Sequence, residues 1–139
     1  MNKHNIFSNT FLLRLGVAII FLSHSLHGIF TGNDVNNFGN LFLNPIGFAP
    51  FGVVIAWAVV ISQVVTSLLL IANKGVMISC VINIIILTFG IITVHFPEGW
   101  YVVGAGRNGM EFSFILIIAL FTIILSGRKA YTSTTDVSQ

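Results

Sequence analysis

The chain has 139 residues, of which 55% are hydrophobic and only 7% charged, and its net charge is +2. That charged fraction, against roughly 25% in soluble domains, excludes an ordinary soluble fold. The few scattered Lys and Arg exclude a nucleic-acid footprint. The lone Cys80 excludes an intramolecular disulfide and a cysteine-based metal centre.

With a mean hydropathy of +0.97, most of the chain belongs in lipid. A membrane-crossing helix needs about 20 apolar residues. Four stretches qualify, at about 11–30, 50–72, 76–95 and 109–126, and the fourth is the shortest. They lack the strict alternation of a membrane barrel. Their Ile- and Val-rich runs read as helix, because in lipid each backbone group is paired within its own segment. The expected fold class is therefore all-α, an integral membrane four-helix bundle, with a cytoplasmic leader over 1–10 and a polar tail over 127–139. The tail is expected to be disordered.

The first span has features of a signal peptide: Lys3, an apolar run from Leu15, and Ser23 to Ser25 as a small-x-small triplet. Arg14 abuts that run, and the segment continues through Leu26 and Phe30, so a retained helix is expected. The loop 31–49 places Val35, Phe38, Leu41 and Phe42 at near-helical spacing behind Asp34, a candidate N-cap. This predicts a short amphipathic helix on the outer leaflet, broken by Asn44-Pro45. Asn73-Lys74-Gly75 makes the second and third spans antiparallel neighbours.

Lys3, Arg14, Lys74, Arg128 and Lys129 share one side of this topology, while Arg107, Asp34, Glu98 and Glu111 share the other. The positive-inside rule makes both termini cytoplasmic, in a bacterial-type plasma (inner) membrane crossed several times.

Polar side chains at membrane depth are functional candidates by default. At 1.5 Å per residue, His24 lies roughly 9 Å from the outer end of its span. His27 shares nearly the same face, His95 ends the third span, and Glu111 begins the fourth. These groups from three helices are expected to gather in the outer half. Imidazoles with a carboxylate can ligate a metal, two histidines can ligate a haem, and histidine beside a carboxylate can pass protons to a quinone. The same groups can also simply fasten the bundle. Gln63 and Asn83 lie deeper and at similar levels, where they can hydrogen-bond across the helix pair, helped by Ser62, Thr66, Ser67 and Ser79; the alternative makes Gln63 the floor of an outer pocket. Arg107 is placed to pair with Glu111. Trp100 and Tyr101 read as interfacial anchors, and Gly104, Gly106 and Gly109 as residues for a tightly folded turn.

The stretches RLGVAIIFLSHSLHG, HFPEGWYV and GRNGMEF, in this order within four spans, resemble the motifs of the DoxX family of small membrane proteins. Arg14, His24, His95, Pro97, Gly99 and Glu111 stand at matching places, whereas Ser25 replaces a usual glycine and Gln63 lies near a position that is often acidic. The resemblance implies a four-helix bundle with cytoplasmic termini, related to the membrane subunit of thiosulfate:quinone oxidoreductase. It implies a quinone-linked redox role with a separate donor oxidoreductase as partner. On this reading His24, His95 and Glu111 carry proton or ligand roles. His27, Gln63 and Arg107 help to bind a quinone or haem. A non-enzymatic scaffold that docks a partner through the outer loops is the alternative. Transport is a third reading, and so short a chain would have to form a homo-oligomer to make a path.

Overall fold

A computed structural model of the protein describes residues 9–103 and 109–135, with side chains as far as residue 127. Among the described residues the regular structure is all helical, without a strand. Three helical runs are long and apolar enough to cross a membrane, Phe11–Phe30, Gly52–Ile71 and Val76–Glu98; a shorter apolar stretch is Glu111–Gly127.

Helix α1 (Phe11–Phe30) ends at the expected residue. The short α2 (Asp34–Asn37) leads straight into wide, π-type turns over Phe38–Phe48. Then come α3 (Gly52–Ile71), α4 (Val76–Gly90) with a wide-turn extension Ile91–His95 and a 3-10 turn Phe96–Glu98, and α5 (Glu111–Thr135). The four long helices close into a ring: α1 packs on α3 and α5, and α4 packs on α3 and α5.

The α3–α4 reversal is built by the residues that suggested it. Asn73 takes φ 56° and Gly75 φ 54°, both left-handed. Lys74 N–H donates to Leu69 O at 2.9 Å and Asn73 N–H to Leu70 O at 3.3 Å, the Schellman closure of a helix C-terminus. The inner half of the ring holds the main core: Val17, Ala18 and Phe21 meet Leu70, Cys80, Leu116, Leu120 and Ile123. A second, smaller cluster joins Val35 and Leu43 to Ala56 of α3.

Three boundaries differ from expectation. Asn44-Pro45 does not end the outer-loop helix, which runs to Phe48 with its break at Gly47 (φ 109°). Proline lacks an N–H and crowds the preceding turn; wider winding relieves both conflicts. The helix starts with Asn33 as its N-cap residue, without a side-chain cap, so Asp34 is its first residue rather than its cap. Finally, α5 begins at Glu111 and continues to Thr135, past the boundary expected at Ser126. Once a helix is nucleated each added residue gains a bond, so polar composition alone does not stop it.

The outer-loop helix does not rest on the bilayer surface by itself. A Cβ on Gly39 would stand 2.4 Å from Val53 Cα, and one on Gly52 would stand 2.3 Å from Gly39 O. Only glycine allows this backbone-to-backbone approach. Asn44 Oδ1 accepts from Gly52 N–H at 2.9 Å, satisfying an orphan donor at the start of α3. Trp57 Nε1–H donates to Asn36 Oδ1 at 2.8 Å, closing the same joint.

Candidate functional site: an outer histidine group

His24 and His27 occupy the last two turns of α1 and are exposed, whereas Ser25 between them is buried. An α-helix separates neighbours by about 100°, so one turn serves both the interior and the exposed face. His27 hydrogen-bonds through Nδ1 with Thr31 Oγ1 at 3.2 Å. His95 comes from the opposite side of the ring, at the end of the wide turns that extend α4. Such turns shift the phase of everything beyond them, and the half-buried His95 ring folds back toward Gly90, where a Cβ would lie 3.9 Å from its Cδ2. The structure places His24 and His27 on one exposed stretch of α1 and His95 at the end of the α4 extension.

Glu111 is used differently. Its Oε1 accepts from Val102 N–H at 3.0 Å. Together with Met110 N–H to Gly99 O at 3.1 Å and Glu111 N–H to Trp100 O at 3.0 Å, this clamps the loop onto the start of α5. A carboxylate in a first turn also suits the helix dipole. Gly109 sits inside the clamp, where a Cβ would stand 2.4 Å from Tyr101 O, and Trp100 packs on Phe114 with centroids 5.4 Å apart. The carboxylate expected beside His24 therefore holds the outer loop. Arg107 lies outside the described residues, as does its expected pairing with Glu111.

The deeper polar layer bonds between helices as expected, but not through a Gln63–Asn83 pair. Gln63 is buried and accepts from Ser25 Oγ at 3.1 Å, joining α3 to α1. Asn83 donates to Thr66 Oγ1 and to Ser79 O, both at 2.8 Å. The tight turn sets Asn83 level with Thr66 rather than Gln63. Ser67 Oγ, Ser79 Oγ and Asn83 Oδ1 are buried and find no hydrogen-bond partner among the described residues. Gln63 lies beneath the histidines, one buried bond away from the residue next to His24.

One residue escaped the depth argument. Arg14 abuts the first apolar run in the sequence, yet it is fully buried. Its guanidinium donates to Leu70 O and to Thr10 Oγ1, the latter at 3.3 Å. A cation at the end of α3 satisfies a carbonyl that the helix leaves orphaned and complements its dipole. An arginine inside an apolar run was the signal that could have found it.

Each of the three imidazoles offers a hydrogen-bond donor and an acceptor. Among the described residues no group of three or more His, Cys, Asp or Glu is placed to hold a metal ion. Compared with known proteins, the chain matches no family model, no curated protein and no solved structure.

Proposed function

We propose that the protein is a four-helix integral membrane subunit of a quinone-linked redox system, of the DoxX type, with both termini cytoplasmic in a bacterial-type inner membrane. The observation that carries this reading is the exposure of His24 and His27 on one face of α1, with His95 at the end of the α4 extension. A quinone head group carries carbonyl oxygens that an imidazole N–H can hold. Its reduction takes two electrons and two protons. A separate donor oxidoreductase supplies the electrons, and the histidines pass the protons. His24 and His27 share one exposed face of α1, which favours a head group approached from the lipid over a haem held between two facing axial ligands. Glu111 and Gln63 support the site, one by holding the loop and the other by fixing α3 to α1 beneath the histidines.

The test is quinone extraction from the purified protein, together with donor-dependent quinone reduction in membranes carrying His24→Ala and His95→Ala. Copurifying quinone and a loss of reduction are expected. Finding no quinone, with reduction unchanged, ends this reading.

The scaffold reading rests on the outer cap. Leu41 in the first outer loop and Phe96 and Val103 in the second are 75%, 67% and 69% exposed. Changing Leu41 and Phe96 to Ser should release a docked partner in a pull-down if that reading holds, and His24→Ala should not.

A further inference from the structure

The outer-loop helix, α2 with the wide turns that continue it to Phe48, meets the spans below their outer ends. The 20 residues of α3 measure about 30 Å, the thickness of a hydrocarbon core. The exposed Lys74, in the turn after α3, keeps the inner end at the water boundary. Gly52 then marks the outer edge. Trp57, which donates to Asn36, lies about 7.5 Å further in. Val35 and Leu43 cluster with Ala56, next to Trp57. A second helix gives an independent measure. Phe89, which meets Phe48 edge-on with centroids 5.5 Å apart, stands about 20 Å along α4 from Val76, leaving about 10 Å of core above it.

The composition of the segment suits that depth. From Val35 to Asn73 the sequence has no Asp, Glu, Lys or Arg. The backbone is helical from Asp34 to Phe48, so its N–H and C=O groups can pair within the segment, as lipid demands. Asparagine side chains are held by protein: Asn36 by Trp57, and Asn44 by Gly52 N–H and by Asn40 Oδ1, to which its Nδ2 donates at 3.4 Å. Val35, Gly39 and Leu43 recur every four residues and form the buried side against α3, whereas Phe38, Leu41 and Ile46 are exposed.

We infer that the outer-loop helix is sunk into the outer leaflet beside the first turns of α3, and that lipid acyl chains cover Phe38, Leu41 and Ile46. This rests on the membrane-spanning part of the reading above and not on its redox chemistry. At that depth the medium around a side chain left uncovered by protein is hydrocarbon, which an uncharged helix with an apolar outer side can enter. A water-soluble partner reaches only groups beyond the lipid head groups. Leu41 is then no part of an aqueous docking surface.

The experiment uses the full chain, with Cys80→Ala, in phospholipid vesicles. Single spin labels are attached through Leu41→Cys, Ile46→Cys, Ile61→Cys or Lys74→Cys. Collisions with oxygen, which concentrates in hydrocarbon, are compared with collisions with a water-soluble nickel chelate. Ile61, exposed midway along α3, is the lipid standard, and Lys74 is the water standard. Leu41 and Ile46 are both exposed, so their labels displace no packed side chain. Labels at both positions should lose chelate collisions relative to Lys74 and gain oxygen collisions, matching Ile61. Chelate collisions there as frequent as at Lys74, with Ile61 protected, place the helix in water and overturn the inference while the spans stand. Loss of both kinds of collision marks cover by a second copy of the chain and also overturns it. Chelate collisions at Ile61 as frequent as at Lys74 overturn the membrane reading itself.

Discussion

The inner and outer halves of this bundle are built by opposite rules. In the inner half, apolar side chains from all four long helices meet in one core, and the charge of Arg14 is fully enclosed and bonded to backbone. In the outer half, α4 widens into π-type turns, a loop is clamped back onto α5, and two histidines stand exposed. The difference teaches where this chain spends packing and where it spares it. The inner half fixes the register of the helices, and the outer half can then leave polar groups uncovered and available to a ligand. Substitutions should therefore unfold the protein when placed in the first region and change what it binds when placed in the second.

The sharpest way to break that division is at Arg14. Removing it leaves the Leu70 carbonyl buried without this donor and opens a space in the core. Arg14→Ala should cost about 3 kcal/mol, read as a lower midpoint of thermal unfolding in detergent. A midpoint within error of the unaltered protein would show that the inner half is not the anchor. Next in size is the joint between the outer-loop helix and α3. Gly39→Ala puts a Cβ onto the Val53 backbone, which has no side-chain freedom to yield, and should cost about 2 kcal/mol. Faster proteolysis of the 31–49 loop should accompany it. Breaking the Ser25–Gln63 bond with Gln63→Leu should be smaller, about 0.6 kcal/mol, the average for a hydrogen bond between membrane helices. The unpartnered hydroxyls reverse the sign: Ser67→Ala removes a buried group that makes no bond, so its unfolding midpoint should be unchanged or higher. The smallest effect on stability belongs to His24→Ala. An exposed position should stay within about 0.5 kcal/mol, while quinone binding is lost. A large fall in stability at His24 would move it from the binding half to the structural one.

Much of this was legible in the residues. The ends of α1 and the αL turn at Asn73–Gly75 follow from apolar run length and local backbone preference, which act over a few residues. That His24, His27 and His95 lie toward the same end of the bundle follows from counting residues along helices of known rise. Partner choice was not legible. Gln63 and Asn83 lie at similar counted depth, yet a small shift in register sends them to Ser25 and Thr66. Nor does composition reveal that α4 widens after Gly90, because this depends on how the helix meets its neighbours.

The sequence by itself determined that the chain is helical and apolar, and which polar residues lie at which level, because those properties come from short-range periodicity and hydrophobic run length. Only the tertiary structure decided what each polar group touches. Glu111 became a clamp for the loop and Arg14 a buried tie between α1 and α3. Gly39 and Gly52 became a contact between backbones rather than features of a flexible loop. A side chain's partner depends on helix register and rotation, which are set jointly by every element packed against it.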